Sequence, residues 1–447
     1  MRQGYHNLVR PEILNLIPST SKSILDLGCG TGALGKEIRF RQPCHVTGIE
    51  LNKEAVEIAK KNLDVAICDN LNRYNPTLSS ARYDTIILAD ILEHLISPWG
   101  VLKKFAYVLT DGGTVIASIP NAAHPWIVSQ MQRGLFRYEP AGILDITHLR
   151  FFTKTTIGQL FYKAGLKITK ITPWPNENNP TQYLVTAVKP LLEHKKPIAT
   201  ILILTLNGWK FTAQCIDSIK AHTVIPYKII VIDNGSTDET VQNLRKDTSI
   251  FHIENTCNLG FAAGFNVGLE LVNTPYFAIC NSDIVVSQKW LKHLAEHLSE
   301  KPDLMAIGPR SNKTSGPQKV NNCAYSTPQE LVNFSNSFAT TKENPVAYCK
   351  RIVFFCTLFK QDILHKVGFL DEIYAGGNFE DDDYCMRIWK KGFKSAIDNT
   401  VFVHHYGSQT FKQNQIDFKK SLEENGQRFL KKWKFNNMDE YYESLIT

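Results

Sequence analysis

Several features that would assign a protein to a class are missing from this sequence of 447 residues. No apolar run reaches the roughly 18 residues that a membrane-spanning helix needs. The N-terminal segment has no uninterrupted apolar stretch, so we expect no signal peptide. The ten cysteines form no Cys-X-X-Cys pair and mostly lie in apolar runs, which indicates reduced core residues. We therefore expect a cytoplasmic protein.

A strong excess of one charge is also missing. The formal net charge is +7, and the lysines and arginines are spread along the chain. Because a dedicated nucleic-acid-binding protein usually carries a denser basic stripe, we expect no nucleic-acid partner. Contact with anionic small molecules, or peripheral contact with the inner face of a membrane, stays open.

What the sequence does contain is an alternation of short β-branched runs with helical stretches. The alternation begins at Ser23 and starts again near residue 198, after a basic segment punctuated by prolines. It predicts an α/β fold in which helices cover both faces of a mostly parallel sheet. The predicted organisation has four parts: a first domain over 1–189, a linker over 190–197, a second domain over 198–411 and a helical tail over 412–447.

Two strand-like runs close the first domain. They are "LKITKITPW" and "TQYLVTAVKP", and a polar loop separates them. We expect them to form an antiparallel hairpin at the edge of the first sheet.

The segment "ILDLGCGTGALG" predicts a strand that leads into a ligand-binding loop. Every second position is an acid or a glycine, at Asp26, Gly28, Gly30 and Gly32. Glycines let a backbone approach a ligand closely and turn into the next helix. The segment also fits the G-X-G-X-X-G pattern of NAD enzymes. Those enzymes carry an acid at the end of the next strand, where this sequence has Glu50. An NAD-dependent domain that modifies a nucleotide sugar is therefore one alternative for this half.

Three other features point to a class other than the NAD enzymes. Asp69 ends the third predicted strand, "DILEHL" (90–95) follows the fourth, and the hairpin reverses the last strand. Together with "DLGCGTG", they make residues 5–190 resemble the class I S-adenosylmethionine-dependent methyltransferases. The resemblance implies a Rossmann-like sheet that binds S-adenosylmethionine, and it assigns the following roles: Asp26 and Gly28–Gly32 hold the methionine part, Glu50 the ribose, Asp69 with Asn70 the adenine, and Asp90 lies in the same pocket.

Two histidines, His94 and His148, are candidates for the catalytic base of methyl transfer. A near-neutral imidazole can take a hydroxyl proton as the methyl group arrives. His148 lies in "ILDITHLRFFTKTTIGQLFYKAGL", which resembles a segment of small-molecule and sugar methyltransferases, and Asp145 could orient it. The alternative for each histidine is a structural role in a turn. We expect no metal in this domain, because a base alone can prepare the acceptor.

In the second half, polar residues follow predicted strands at three places. They occur in "VIDNGSTDET", in the glycine-rich "NLGFAAGFNVG" (258–268) and in "CNSDIVV". Acids and amides at the carboxyl ends of parallel strands line the crevice where such sheets bind ligands. With "VGFLDE", "FEDDDYCMR" and "VHHYGS" in the same order, residues 198–411 resemble the family 2 glycosyltransferases, with a leaning toward rhamnosyltransferases.

This second resemblance implies a GT-A type domain that binds a nucleotide sugar together with Mg²⁺ or Mn²⁺. Asp283 is the expected metal carboxylate, and His404 or His405 adds a ligand, with His404 favoured. Asn281 stands where a strict D-X-D motif has an acid. The residues assigned to the nucleotide sugar are Asn207, Asp233, Asn234, Gly260, Gly264, Asn281 and Glu380.

Four consecutive acids, Glu380 to Asp383, precede a basic and aromatic stretch. Neighbouring carboxylates raise one another's pKa, although acids are also favoured in any first helical turn. By match to the family's E-D pair, Asp381 is the predicted base that deprotonates the acceptor, and crowding would bring its pKa to a useful value. Glu380 is expected to face the acceptor, and Asp383 to cap the helix or hold Arg387.

The tail reads as a helix with a broken apolar stripe that packs on the second domain, while its "KKWK" segment could touch anionic lipid. The sequence thus predicts a bifunctional enzyme of surface glycan synthesis. It would transfer a sugar with inversion and a methyl group to a glycan, glycolipid or glycoprotein acceptor. A degenerate, non-catalytic methyltransferase-like module is a further alternative for the first half.

Overall fold

In the computed structural model, the chain forms two compact units, residues 1–193 and 194–447. Each unit is built on its own sheet, so the predicted α/β class with two domains is confirmed. The structure describes residues 9–76, 82–190, 196–338, 344–374, 376–407, 409, 413–414 and 417–446. Residues 191–195 of the predicted linker and residues 411–412, where the tail was predicted to begin, lie outside this described part.

The first sheet has seven strands in the order β3-β2-β1-β4-β5-β7-β6. They are Ser23–Leu27 (β1), His45–Glu50 (β2), Val65–Cys68 (β3), Tyr83–Ala89 (β4), Leu109–Pro120 (β5), Lys167–Trp174 (β6) and Gln182–Val188 (β7). The strands β1 to β5 pair in parallel, whereas β7 runs antiparallel to both β5 and β6. The predicted closing hairpin is confirmed, and β6 is its outer strand.

Helices cover this sheet. They are Pro11–Leu14 (α1), Ala33–Arg41 (α2), Lys53–Asn62 (α3), Pro98–Val108 (α4), Pro125–Gln132 (α5) and Lys154–Lys163 (α6), with a 3₁₀ turn at Leu92–His94. The cap of α3 shows why a helix begins there, because the Asn52 side chain accepts hydrogen bonds from two free amides of the first turn. The 3₁₀ turn follows β4 and therefore lies at the carboxyl edge of the sheet, where the ligands of such folds bind.

The second sheet has nine strands. They are Ala199–Thr205 (β8), Tyr227–Asp233 (β9), Phe251–Glu254 (β10), Tyr276–Asn281 (β11), Ile284–Val286 (β12), Leu304–Arg310 (β13), Val346–Tyr348 (β14), Cys356–Lys360 (β15) and Lys394–His405 (β16). The order is β10-β9-β8-β11-β15-β13-β16-β12, and β14 pairs with β16. The first four strands of this order are parallel, and β12 pairs with the end of β16 in antiparallel register, with Ile284 opposite His405.

The helices of the second unit surround this sheet. They are Trp209–His222 (α7), Thr240–Lys246 (α8), Phe261–Leu269 (α9), Trp290–Ser299 (α10), Pro328–Phe338 (α11), Ile363–Lys366 (α12) and Glu380–Lys390 (α13), with a 3₁₀ turn at Gly316–Gln318. The acids Glu380 to Asp383 form the first turn of α13.

The predicted tail forms two helices, Phe418–Trp433 and Met438–Ile446. Buried rings of Phe429 and Tyr441 pack with Tyr374 and Phe379, which lie just before α13. The tail therefore packs on the second unit, as predicted. Among the described residues, no helix combines the length and the apolar character needed to cross a bilayer.

Candidate active sites

The glycine loop of the first unit connects β1 to α2. Gly28, Gly30 and Gly32 all have positive φ, the region that favours glycine. A Cβ on Gly28 would lie 2.1 Å from Cδ1 of Ile91, so the loop backbone lies against the turn that follows β4. The loop therefore adjoins the turn that contains His94.

Two buried carboxylates lie beside this loop. Glu50 at the end of β2 accepts a hydrogen bond from the Gly30 amide at 3.0 Å and one from the Asn52 amide at 2.8 Å. Burial, and then the nearby charge of Glu50, raises the pKa of Asp26 to about 7. The residues predicted to hold the methionine and ribose parts of the ligand are thus brought together.

The residues predicted to meet the adenine follow β3. The Asp69 amide donates to the Glu50 carbonyl at 3.0 Å, which places Asp69 next to the ribose acid. Its Oδ1 accepts from the Asn70 amide at 2.6 Å, and Asn70 in turn accepts from the Asn72 amide at 2.9 Å. Both side chains are half-buried at the carboxyl edge of the sheet.

Asp90 is held by side chains from distant parts of the first unit. Its carboxylate accepts from Ser118 Oγ at 2.6 Å and from Gln182 Nε2 at 3.1 Å, and it forms an ion pair with Arg10. These contacts fix the turn after β4. A role of Asp90 in the cofactor pocket stays a prediction.

His94 and His148 meet edge to face, with ring centroids 4.7 Å apart. Burial, and then the charge of His148, lowers the pKa of His94. The hypothesis that Asp145 orients His148 is wrong: its Oδ1 accepts from the Thr147 amide and hydroxyl, while Nδ1 of His148 lies 2.9 Å from the Ile143 carbonyl.

In the second unit, Asp283 and His405 form a buried pair. His405 Nε2 lies 3.1 Å from Oδ1 of Asp283, and the Gln409 amide donates to Oδ2 at 3.2 Å. Although burial opposes ionisation, the hydrogen bond and charge of His405 hold the pKa of Asp283 below its usual value. Asn281 Nδ2 lies 3.4 Å from the same imidazole nitrogen. Three of the predicted or considered ligand residues therefore converge.

His404, the favoured histidine of the sequence prediction, lies elsewhere. Its Nδ1 is 2.7 Å from the Tyr325 hydroxyl, and burial followed by the charge of His405 lowers its pKa to about 4. Successive side chains of a strand point to opposite faces, so only one of the two histidines can face Asp283. The structure brings His405, not the favoured His404, beside Asp283.

Three polar residues predicted to bind the nucleotide sugar hold the loops around the crevice. Asn207 Oδ1 accepts from the Thr237 amide at 2.8 Å, which ties the loop after β8 to the loop after β9. Asp233 accepts from the Ser236 amide at 3.1 Å, and burial, despite these bonds, raises its pKa. Asn234 donates to Asn258 Oδ1 at 2.8 Å and so fixes the glycine-rich loop.

Two glycines of that loop allow close packing. A Cβ on Gly264 would lie 2.7 Å from Cδ1 of Leu204, so α9 packs directly on β8. A Cβ on Gly260, where φ is +83°, would lie 3.1 Å from the Gly376 amide. Both positions shape the crevice by letting backbone segments approach.

The acids of α13 have two different environments. Asp382 pairs with Arg351 at 2.5 Å and accepts from the Tyr441 hydroxyl at 2.6 Å. Asp383 pairs with Arg387 at 2.9 Å, as expected, and also with Lys432 at 2.5 Å. These two acids join the helix to its surroundings and to the tail.

Glu380 and Asp381 are buried without such partners. Oε2 of Glu380 has no hydrogen-bond partner among the described residues, and burial, followed by the charge of Asp381, raises the pKa of Glu380. Asp381 accepts only from the Asp382 amide, at 2.9 Å, in the described part of the chain. Burial, followed by the charge of Asp382, raises the pKa of Asp381 to about 7.

Comparison with protein families gives two matches. Residues 1–171 match a family described as a methyltransferase domain, and residues 200–367 match glycosyl transferase family 2. The chain joins a methyltransferase domain to a family 2 glycosyltransferase domain. Both resemblances inferred from the sequence motifs are thereby confirmed, and the methyltransferase match replaces the NAD-dependent alternative. Asp381 lies beyond the matched part of the glycosyltransferase domain.

Individual relatives match one domain at a time. An uncharacterized glycosyltransferase of Haemophilus influenzae is 30% identical over 116 residues, which are 25% of this chain and 36% of that protein. A ubiquinone biosynthesis O-methyltransferase of Aeromonas salmonicida is 27% identical over 187 residues, 38% of this chain and 77% of that protein. The chain thus spans about a third of the length of the Haemophilus relative. A mannosyltransferase structure from Pyrobaculum calidifontis is 17% identical with a TM-score of 0.36, covering 50% of this chain and 66% of that one.

Sequence reasoning missed one residue of the methyltransferase domain and one of the glycosyltransferase domain. Glu93 lies close to His94 and His148, and its neighbour in "LEH" was noticed while the acid was not. Arg351 pairs with Asp382 from 31 residues away, and no local pattern marks it. The Glu-His adjacency after a predicted strand was the signal that could have found Glu93.

Proposed function

We propose that this chain is a bifunctional transferase of surface glycan synthesis. Its glycosyltransferase domain would move a sugar from a nucleotide sugar to an acceptor hydroxyl with inversion, and its methyltransferase domain would move a methyl group from S-adenosylmethionine. The observation that carries the first activity is the division among four adjacent acids. Two are neutralised by cations, and Asp381 is left as a buried carboxylate whose pKa is raised to about 7.

Asp381 has the properties that a catalytic base needs. A pKa near the operating pH combines a useful fraction of carboxylate with enough basicity to take a proton. In the proposed step the acceptor hydroxyl gives its proton to Asp381. Its oxygen bonds to the anomeric carbon on the face opposite the diphosphate, and the bond from that carbon to the diphosphate oxygen breaks.

The residues around Asp283 fit a divalent cation. Nδ1 of His405 lies 2.8 Å from the Lys313 carbonyl, so this nitrogen carries the proton and donates. Nε2 is then the ring nitrogen that faces Asp283, at 3.1 Å from a carboxylate oxygen. A cation bound here would replace the proton shared by these two atoms, and the carbonyl is the usual outer partner of a metal-binding histidine. Asp283, His405 and Asn281 would therefore hold Mg²⁺ or Mn²⁺.

When bound, such an ion supplies positive charge that offsets the departing diphosphate. The protein's own part is to hold the ligands of the ion in position. The Gln409 amide and the Asn312 side chain, which accepts from the His405 amide at 2.9 Å, fix the carboxylate and the strand that present the ligands.

The methyltransferase domain has residues suited to binding S-adenosylmethionine. Gly28 and Gly32 keep the loop open to close approach, and Glu50 and Asp69 meet at the ends of neighbouring strands. Glu50 offers oxygens for ribose hydroxyls, while Asp69 and Asn70 lie where the adenine would extend. The methyl acceptor would be a hydroxyl that enters beside His94 and His148.

The proposed partners follow from these two reactions. They are a nucleotide-sugar donor and a glycan, glycolipid or glycoprotein acceptor, with no nucleic acid. We propose a cytoplasmic protein that works at the inner face of the membrane. Of the "KKWK" segment, Lys432 already pairs with Asp371 and Asp383, so a lipid contact would depend on its remaining lysines.

A donor screen tests the glycosyltransferase assignment. The full chain is incubated with Mn²⁺ and a panel of nucleotide sugars, and hydrolysis or transfer to an alcohol acceptor is measured. We expect one donor class to be turned over, and Asp381→Asn to lower the rate by about 10²–10⁴-fold with donor binding retained. Asp362→Asn, the same acid-to-amide change at an exposed side chain just before α12, serves as the matched control. Full activity of Asp381→Asn would overturn the choice of base, and no turnover of any donor would overturn the activity.

A further inference from the structure

Glu93, His94 and His148 form a cluster that the predicted functions do not explain. One potential ligand atom from each side chain lies within 4.8 Å of the others. Glu93 and His94 belong to the 3₁₀ turn after β4, and His148 comes from the loop before α6. The cluster therefore lies at the carboxyl edge of the sheet, on the turn that contacts Gly28 of the cofactor loop.

The environment of the Glu93 side chain is the first observation that points to a ligand. Its side chain is 1% exposed, and neither carboxylate oxygen has a hydrogen-bond partner among the described residues. Burying a carboxylate without a partner is costly, so such groups are normally paired or bound to metal. The backbone around it is well fixed, because the Glu93 carbonyl accepts from the Leu149 and Arg150 amides at 2.8 and 3.0 Å.

The two imidazoles provide a second, independent observation. Nδ1 of His94 lies 3.2 Å from the Thr147 carbonyl, and Nδ1 of His148 lies 2.9 Å from the Ile143 carbonyl. A nitrogen that faces a carbonyl carries the proton, so each ring keeps its lone pair on Nε2. Histidines that bind metals characteristically donate the other ring N–H to a backbone carbonyl in this way.

We propose that Glu93, His94 and His148 bind a divalent transition-metal ion in the methyltransferase domain. Two imidazoles and one carboxylate are a donor set that suits Zn²⁺, Mn²⁺ and Fe²⁺ and leaves coordination positions open. Donor atoms around tetrahedral zinc lie about 3.4 Å apart, so the side chains need to close by roughly an ångström. The ion would be separate from the one assigned to Asp283, which belongs to the other unit.

The site deepens the proposed methyl transfer and rests on it for its role. A bound cation lowers the pKa of an acceptor hydroxyl next to it. The acceptor loses its proton to solvent, its oxygen forms a bond to the methyl carbon, and the bond from that carbon to sulfur breaks. The products are the methyl ether, S-adenosylhomocysteine and one proton. His94 and His148 then act as ligands, which replaces their predicted role as bases and the expectation of a metal-free domain.

Metal counting on the full chain tests the site. Asp283→Asn with His405→Asn removes the cation site of the other domain and serves as the background. The protein is stripped with a chelator and dialysed against Zn²⁺ or Mn²⁺, and bound metal is measured by mass spectrometry. We expect the background protein to hold about one ion, and Glu93→Gln or His148→Ala added to it to weaken binding at least about tenfold. His45→Ala, which changes an exposed histidine of the same unit, should leave binding unchanged.

Binding of S-adenosylhomocysteine is measured separately from bound metal, so that loss of folding and loss of the metal site can be told apart. S-adenosylhomocysteine should still raise the melting temperature of the Glu93→Gln variant, which shows that the domain is folded. Absence of metal in the background protein, or binding that neither variant weakens, would overturn the metal site. Retained metal without any S-adenosylhomocysteine binding in the background protein would overturn the methyl-transfer proposal while supporting the site.

Discussion

The Tyr441 hydroxyl donates to Oδ1 of Asp382 across 2.6 Å, and this bond joins the last helix of the chain to the first turn of α13. Asp382 directly follows Asp381, the proposed base. Arg351 pairs with the same carboxylate, so a cation and a hydroxyl together stabilise one buried charge. The tail thereby helps to fix the turn that presents Asp381.

Removing that hydroxyl should destabilise the second unit. Tyr441→Phe leaves the ring packing in place but takes one donor from a buried carboxylate, which costs about 1.5–3 kcal/mol. Urea unfolding should show the loss as a lower midpoint. Tyr442→Phe is the matched control, because Tyr442 is 47% exposed. Equal midpoints for the two variants would show that the bond does not anchor the tail.

The glycosyltransferase rate should depend on the ionisation of Asp381. Its pKa is raised to about 7, so the fraction of carboxylate increases between about pH 6 and 8. We expect kcat/KM for sugar transfer to rise over this range with an apparent pKa near 7. In Asp381→Asn the residual rate should lose this dependence. A rising limb that survives in the variant would assign the pKa to another group.

The stability of the folded protein should fall as the pH rises, whereas the rate of sugar transfer rises. A buried carboxyl with a raised pKa binds its proton more tightly in the folded than in the unfolded state between about pH 4 and 7. Stability therefore falls as the pH rises through this window, for Asp26 in the first unit and Asp381 in the second. Asp26→Asn and Asp381→Asn should gain stability relative to the wild type as the pH goes from 5 to 8. Thermal unfolding that shows a constant difference across this range would contradict the raised pKa values.

The two adjacent histidines should contribute unequally to the cation site of the glycosyltransferase domain. His405 faces Asp283, whereas His404 contacts Tyr325. In a protein that carries Glu93→Gln to silence the other site, His405→Asn should weaken Mn²⁺ binding at least about tenfold. His404→Asn should have little effect on the Mn²⁺ titration, and the reverse ranking would restore the original choice of His404. Removal of the ion with a chelator should abolish sugar transfer and leave S-adenosylhomocysteine binding intact.

Gly28 should be irreplaceable in the methyltransferase domain. Alanine there meets both an unfavourable positive φ and Ile91 at 2.1 Å, so the loop must move. We expect Gly28→Ala to lose S-adenosylhomocysteine binding in a calorimetric titration. Gly112→Ala isolates the backbone effect, since φ is +77° there and nothing lies within 4 Å of the added carbon. It should cost only about 1–2 kcal/mol of stability. Normal binding by Gly28→Ala would show that the loop tolerates displacement.

The alternation of strands and helices along the chain and the positions of the motifs follow from local pattern. Strand periodicity and glycine placement located β1, its loop, and Glu50 at the end of β2, because each depends on a few neighbouring residues. The closing hairpin was predictable for the same reason. These features set the carboxyl edges of both sheets, where most of the proposed site residues lie.

Three outcomes depended on contacts that sequence spacing does not encode. That Asp382 rather than Asp381 is paired is set by Arg351 and Tyr441, which lie 31 and 59 residues from Asp382. Which histidine faces Asp283 is set by the register of β12 on β16. Which side chains hold Asp90 is set by Arg10 and Gln182, which come from both ends of the domain.

The central claim is that two independent donor pockets share this chain. It is tested most directly by titrating the full chain with S-adenosylhomocysteine, with and without saturating Mn²⁺ and the nucleoside diphosphate of the best donor. We predict about one equivalent of each ligand with no competition. Glu50→Ala should lose only the first ligand, and Asp283→Asn only the second. Competition of the two ligands for a single site, or loss of both in a variant that remains folded, would contradict the account.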